Sequence, residues 1–217
     1  MANSDKIENE LMFEYDEQTV DKLLTYIDLV LEKNEFINLT AIKNRDEAIE
    51  KHLFDSLQIT KLKEYKNADK IIDIGTGAGF PGALLAIASP EKEFVLVDST
   101  MKRLKVIEEF AEKLEIKNIR TVHARAEELA RNLDYAENFD VCVSRAVANL
   151  TTLSSWCLPF VRKGGCFIAY KGENYREELS AAKDTLKKLG ADLTETTLYP
   201  EKYTDISNHV LLTFQKK

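Results

Sequence analysis

Asp73-Ile74-Gly75-Thr76-Gly77-Ala78-Gly79-Phe80-Pro81-Gly82 follows Ile71 and Ile72, so an apolar strand runs into a loop nearly free of side chains. Glycine takes positive φ without a Cβ penalty, and Pro81 suits the first turn of a helix that Ala83 to Ala88 would continue. Such a loop is expected to deliver free N–H groups at a helix N-terminus, where a ligand can touch backbone. A second apolar run, Phe94 to Val97, ends in an acid, Asp98. Strand, glycine loop, helix, strand and acid form the nucleotide-binding half of a doubly wound sheet, in which the acid takes ribose hydroxyls.

The rest of the chain alternates around that unit. Before it, Val20, Leu23, Leu24, Ile27, Val30 and Leu31 make one helical stripe, and Ala48, Ile49, Leu53, Ser56 and Leu57 another, the second capped by Asn44 and Glu47. After Asp98 come a helix striped by Leu104, Ile107, Phe110, Ala111 and Leu114, a strand at Ile119 to His123, a short helix from Ala126 and a strand at Phe139 to Ser144. A helix at Leu153 to Phe160 leads through Lys163-Gly164-Gly165 to a strand at Cys166 to Tyr170. A last helix, striped by Tyr175, Leu179, Ala182, Leu186 and Leu189, ends at Gly190, and two strands remain, Ala191 to Leu198 and Val210 to Gln215. The expected class is α/β: a seven-stranded, mostly parallel Rossmann-like sheet closing in an antiparallel hairpin, with an N-terminal helical cap. Without a linker or repeat, residues 1–217 read as one domain, with 1–66 as the cap and 67–217 as the cofactor-binding sheet region.

Composition narrows the setting. The 217 residues are 44% apolar and 31% charged, ordinary for a globular chain. The polar start, Met1 to Glu10, has no apolar leader core and no apolar run is long enough to span a bilayer, so a cytoplasmic protein without membrane contact is expected. Cys142, Cys157 and Cys166 lie in apolar surroundings without C-x-x-C spacing and read as reduced core residues. His52, His123 and His209 are too scattered for a metal site, and none is expected.

Gly77, Gly79 and Gly82 also satisfy the dinucleotide spacing G-x-G-x-x-G. Two features lean away from NAD: Asp73 stands two residues before the first glycine, where an acid suits a cationic ligand, and Phe80 and Pro81 crowd the pyrophosphate position. The segment resembles the first motif of the class I S-adenosylmethionine-dependent methyltransferases, acid-x-Gly-x-Gly-x-Gly, here Asp73, Gly75, Gly77 and Gly79, with Asp98 as the ribose acid.

Further strings sharpen the resemblance. Asn38-Leu39-Thr40, His52-Leu53-Phe54-Asp55-Ser56-Leu57, Val97-Asp98-Ser99 with Lys102-Arg103, Arg125-Ala126-Glu127-Glu128, Ser144-Arg145-Ala146-Val147-Ala148 and Lys171-Gly172 together resemble the bacterial small-subunit ribosomal RNA guanine-N7 methyltransferase G family, once called glucose-inhibited division protein B. The resemblance implies S-adenosylmethionine as cofactor, 16S rRNA as substrate and N7 of a guanine near the decoding region as methyl acceptor. It also implies cofactor contacts from Gly75 and Phe80, from Ala126 and Glu127 after the third strand, and from Arg145 after the fourth.

The residues themselves leave some roles open. Arg145 stands where the fourth strand opens onto the site, and could pair with a ligand carboxylate or with a neighbouring acid. As a long cation beside a glycine-lined pocket it is expected to be solvated, so truncating it should cost within about 0.5 kcal/mol. Arg145 and Lys171 are the positioning candidates. Glu127 either accepts from the adenine amine or caps its own short helix. N7 of guanine has a lone pair and no proton, so no general base is required; neither Asn-Pro-Pro-Tyr nor a placed cysteine follows the fourth strand, and Cys142 lies within it. The net charge of −7 opposes RNA binding, yet Lys102, Arg103, Lys105, Arg120, Arg125, Arg145, Arg162, Lys163 and Lys171 gather in the sheet region, while Glu8, Glu10, Glu14, Asp16 and Glu17 make the start acidic. Lys105 and Lys163 also read as ordinary solvated lysines. An acidic enzyme of this size suits RNA presented in a 30S particle or assembly intermediate. A small-molecule methyltransferase and a noncatalytic nucleotide-binding module share the loop and Asp98.

Overall fold

The computed structural model describes residues 3–200 and 206–217, with Asn3 and Ser4 as backbone only; Met1 and Ala2, the first residues of the expected cap, lie outside the described residues. Its strands are β1 (Lys70–Ile74), β2 (Glu93–Asp98), β3 (Ile119–His123), β4 (Phe139–Arg145), β5 (Val161–Lys171), β6 (Ala191–Leu198) and β7 (Val210–Lys216). They form one sheet in the order β3-β2-β1-β4-β5-β7-β6. Pairs from β3 through β5 are parallel, and β7 runs antiparallel to both β5 and β6. The chain builds outward from β1 to β3 and then crosses to β4, so the switch point lies between β1 and β4, where open sheets leave a crevice at the strand C-termini.

The central strands β1, β2, β4 and most of β5 are buried on both faces, which is why they read as apolar runs, whereas β3 is partly exposed and β6 mostly exposed. The pleat divides neighbours between two cores: Ile71, Leu96, Val141, Val143 and Ile168 face one side, and Ile72, Val95, Val97, Cys142 and Phe167 the other. The first core joins the sheet to the N-terminal helices α1 (Asn3–Glu14) and α2 (Glu17–Asn34), and to α6 (Gly82–Ala88) and α7 (Met101–Lys113). The second packs against α8 (Ala126–Leu129), α9 (Leu150–Cys157) and α10 (Tyr175–Lys188). All three cysteines are free and buried.

Between α2 and β1 the expected second stripe is one helical run with changing pitch: α3 (Arg45–Ala48), a π segment (Ile49–Phe54), α4 (Asp55–Leu57) and a 3₁₀ turn (Gln58–Lys61), followed by α5 (Lys63–Lys66). The Asn44 side chain accepts from Glu47 N at 3.0 Å, as the cap reading required. Two features were not legible. The polar α1 forms because Ile7 and Leu11 reach the first core, and β5 starts at Val161, before the expected Gly164-Gly165 loop. The glycines are absorbed within the strand: Gly164 takes φ +76°, and a Cβ on Gly165 would stand 2.6 Å from Asp140 O.

The cap shapes the glycine loop directly. Tyr26 of α2 is fully buried and donates its hydroxyl to Ala78 O at 2.9 Å, and a Cβ on Gly79, where φ is +90°, would stand 2.1 Å from Tyr26 Oη. Gly79→Ala should therefore cost roughly 1–3 kcal/mol from overpacking, more with the backbone strain, and lower the melting temperature by about 2–4 °C per kcal/mol. Calorimetric melting checks this, and an unchanged midpoint would show that Tyr26 yields freely.

Candidate active site

A cavity of about 1000 Å³ opens at the C-terminal ends of β1, β2, β4 and β5. One wall carries Gly75, Thr76, Gly77, Asp98, Ala126 and Glu127; the opposite wall carries His52, Asp55, Arg145, Tyr170, Lys171 and His209, with Phe80 between them. Most of the expected site residues are thus gathered, but Asp73 and Gly79 are not among those lining the cavity. Asp73 lies fully buried beneath the loop, where its Oδ2 accepts from Gly82 N at 2.9 Å, and Gly79 is turned towards Tyr26.

The loop also differs from expectation in its hydrogen bonds. Gly75 N and Thr76 N donate to Val97 O at 2.9 and 3.0 Å, Gly77 N to Asp98 Oδ2 at 3.0 Å, and Gly79 N and Phe80 N to Thr76 O at 2.9 and 2.8 Å. With Gly82 N on Asp73 and Pro81 without an N–H, the loop does not present the row of free donors that a pyrophosphate needs. It presents shape instead. Gly75 and Gly77 take positive φ, and a Cβ on Gly75 would stand 2.5 Å from Val147 Cγ2. The β4 exit thus closes over the loop, turning at Ala146 with φ 55°, while the Ser144 hydroxyl donates to Ile74 O at 2.8 Å and ties the ends of β4 and β1 together.

Asp98 is buried yet lines the cavity. Besides Gly77 N it accepts from Thr100 N at 2.8 Å through Oδ1, and Arg103 Nη1 lies 3.7 Å from Oδ2. Each carboxylate oxygen offers about two acceptor sites, so capacity remains for a diol. Ala126 gives a small buried wall beside it, and Glu127, exposed in the first turn of α8, completes that end.

Arg145 is not the solvated cation the sequence suggested; its side chain is only 11% exposed. Its Nη1 donates to Asp55 Oδ2 at 2.6 Å and to Lys51 O at 3.1 Å, and Nη2 lies 3.3 Å from His52 Nδ1. The guanidinium lies 5.3 Å over the Phe80 ring, and His52 stacks on the same ring with centroids 4.5 Å apart. Of the two readings open for Arg145, the neighbouring acid is the one observed. Asp55, 2% exposed in its side chain, also faces His209 Nδ1 from Oδ1 at 3.0 Å. Burial opposes its ionisation, but His209 and Arg145 outweigh that and hold the carboxyl below its usual range. Burial and the adjacent guanidinium hold His52 down to about 3, so its ring is neutral. With Nδ1 accepting from Arg145, the ring proton is on Nε2, 2.7 Å from Thr40 Oγ1.

Lys171 is buried and donates to Ala148 O at 2.8 Å and Glu178 Oε2 at 2.7 Å, supporting the loop after β4. Arg103, Arg125, Arg145 and Lys171 of the expected basic set line the cavity. Arg120 and Arg162 turn to Tyr135 and Asp140 instead. Cys142 lies in the second core and does not line it. His52 and Asp55 carried a signal, since they sit three apart in one resembling string; His209 and Tyr170 carried none. Among the described residues there is no group of three or more His, Cys, Asp or Glu able to hold a metal, and no helix long and apolar enough to cross a membrane.

This fold recurs in solved methyltransferases. An O-methyltransferase described as putative from Klebsiella pneumoniae superposes with a TM-score of 0.61 at 16% identity, covering 88% of this chain and 90% of that one. The 16S rRNA (adenine(1408)-N(1))-methyltransferase of Catenulisporales acidiphilia, solved as a point mutant, gives 0.54 at 18% identity over 68% and 84%. Sheet order, glycine loop and strand-end acid are those of the class I S-adenosylmethionine-dependent methyltransferases. The family model for rRNA small subunit methyltransferase G matches residues 19–206, and the chain belongs to that family. Its relatives include the ribosomal RNA small subunit methyltransferase G of Clostridium perfringens, 43% identical over 92% of this chain and 83% of that protein. The protein of the same name from Lachnoclostridium phytofermentans is 46% identical over 86% and 77%.

Two buried carboxylates give two tests. Removing Arg145 leaves Asp55 buried beside only His209, so Arg145→Ala should destabilise by roughly 3–5 kcal/mol, and Arg145→Met with Asp55→Leu should recover part of that. Chemical denaturation decides; a single-variant loss within about 0.5 kcal/mol would mean that Asp55 does not need its cation. Burial pushes Asp73 up to about 6, against the Thr76 hydroxyl, the hydrogen bond from Gly82 and the attraction of Arg145. The folded carboxyl thus titrates above its unfolded value, and its contribution to stability falls as pH rises from about 4 to about 6. Asp73→Asn keeps an acceptor for Gly82 N and should gain stability relative to the parent across that window, by up to about 3 kcal/mol. A pH-independent difference between the two would contradict the assignment.

Proposed function

We propose that this chain transfers the methyl group of S-adenosylmethionine to N7 of a guanine in 16S rRNA, acting in the cytoplasm on a 30S particle or assembly intermediate. One observation carries the reading: within an rRNA small subunit methyltransferase G family member, the cavity joins an acid-and-glycine wall to a cationic wall and is lined by no thiol. The adenosine end of the cofactor fits Asp98, Ala126 and Glu127, with its ribose on the unused acceptor capacity of Asp98. Gly75, Gly77 and Phe80, which line the same cavity, would border its methionine end. Asp73 and Gly79 hold the loop from behind. A loop whose amides are consumed internally suits a sulfonium or ammonium better than a pyrophosphate.

When bound, the cofactor supplies an electrophilic methyl on sulfur; the N7 lone pair takes it, the C–S bond breaks towards sulfur, and no proton moves. This chain's residues therefore need only orient and desolvate. Arg145 and Lys171 are the positioning groups of this reading, and their ion pairs with Asp55 and Glu178, which hold that wall before substrate arrives, support it. A remaining donor on either side chain that met guanine O6 would leave N7 free to attack. The neutral ring of His52, with both nitrogens engaged, supports a role in geometry rather than proton transfer. The cap and sheet regions act as one domain, a reading supported by their shared core.

The experiment is methyl transfer from labelled S-adenosylmethionine to unmodified 30S particles, with a metabolite panel in parallel and nucleoside analysis of the product. N7-methylguanine is expected. A 5-methylpyrimidine or N2-methylguanine would refute the mechanism, turnover of a metabolite alone would make this a small-molecule enzyme, and cofactor binding without any turnover would make it a binding module.

A further inference from the structure

A second recess lies between the loop after α2 and the first turns of α7, walled by Lys33, Phe36, Ile37, Asn38, Lys102 and Lys105. Phe36 is 80% exposed, whereas Ile37 packs against the first core and anchors the loop beneath it. Lys33 is held by Glu109 at 2.6 Å, but Lys102 and Lys105 make no ion pair among the described residues. The recess borders the cavity at two points. The chain passes from Asn38 in the recess to Leu39 and Thr40 in the cavity wall, and α7 places Lys102 in the recess and Arg103 in the cavity.

A lone exposed phenylalanine needs no explanation. An exposed ring beside two unneutralised lysines, contiguous with the mouth of a site that takes a base, is the pairing of stacking platform and cationic track by which proteins hold single-stranded nucleic acid. A protein partner is disfavoured, because the apolar area amounts to little more than one ring. The chain's net charge of −7 adds weight to cations left unneutralised at this edge. We propose that the recess holds the rRNA strand flanking the target guanine, with a neighbouring base stacked on Phe36 and its phosphates against Lys102 and Lys105. This rests on the rRNA reading above and adds the face on which the strand lies. A base drawn into the cavity leaves its neighbour without a stacking partner, and the Phe36 ring supplies one.

The test is steady-state methylation of unmodified 30S particles over a salt series, with calorimetry of S-adenosylmethionine binding as control. Phe36→Ala should raise KM for particles roughly 5- to 150-fold with kcat and cofactor affinity held, and Phe36→Trp should restore KM. Lys102→Gln with Lys105→Gln should reduce the slope of log affinity against log salt by about 1.4, two single-strand phosphate contacts. An unchanged KM in Phe36→Ala, or a salt slope untouched by the lysine pair, overturns the recess while leaving the activity standing. Loss of cofactor binding in Phe36→Ala would mark the ring as structural and also overturn it. A parent protein that binds the cofactor but methylates no particle overturns the rRNA reading and the recess together.

Discussion

The carboxylate of Asp55 imposes the condition around which the second half of the cavity is built. It is buried in a helical run of the cap, and a buried carboxylate is tolerated only when cations and donors replace its hydration. Those partners come from far along the chain: Arg145 from the end of β4 and His209 from just before β7. Arg145 in turn bonds the Lys51 and His52 carbonyls within the π segment, whose changed pitch brings these groups to the cavity. Satisfying one charge therefore ties the cap, the switch point and the sheet's far side into a single wall. Phe80 joins that wall to the glycine loop, with His52 stacked on its ring and the Arg145 guanidinium over it.

The glycine loop is constrained with similar severity on the other side. Tyr26 presses on Gly79, Asp73 holds Gly82 from below, Asp98 holds Gly77 from the side and Val147 covers Gly75. The glycines are thus needed for protein neighbours as much as for a ligand. A Cβ at Gly82 would stand 2.2 Å from Leu96 Cδ2 and 2.7 Å from Asp73 Oδ2, before any cofactor is considered. The loop is organised in advance, so binding need not order it, which reduces the entropic cost of association.

The contrast between these two walls explains what could be read from the chain. The central strands were legible because burial on both faces leaves apolar runs bounded by turn residues, and the more exposed β3 and β6 also fall at their expected bounds. The place of Asp98 at the cavity was legible because it closes a strand that opens there. The partners of Arg145 were not: Asp55 lies 90 residues away, and nothing local in Ser144-Arg145-Ala146 states whether that cation meets water or a carboxylate. His209 lies 154 residues from Asp55 and is a single histidine in a polar stretch, without periodicity to mark it. The fate of the loop amides was hidden for a related reason. Whether a glycine-rich turn offers its N–H groups to a ligand or spends them on Val97 O, Asp98 and Thr76 O depends on backbone path, which residue identity alone leaves open.

Asp55 and Asp73 show how environment, rather than residue type, assigns charge at this site. Both are buried carboxylates, yet one is held below its usual range by an imidazole and a guanidinium in direct contact, while the other, with only neutral donors from Thr76 and Gly82 beside it, rises to about 6. Cations line the cavity on both sides, Arg103 and Arg125 near Asp98 and Arg145 and Lys171 across from it, but only Arg145 is locked onto a fully buried carboxylate, whereas Asp98 faces the cavity. On the proposed function, a positively charged ligand would lie by Asp98 and the glycines, and a base edge by Arg145 and Lys171. Such a division would set a sulfonium and a guanine lone pair on opposite sides of one cavity, the arrangement that in-line methyl transfer requires.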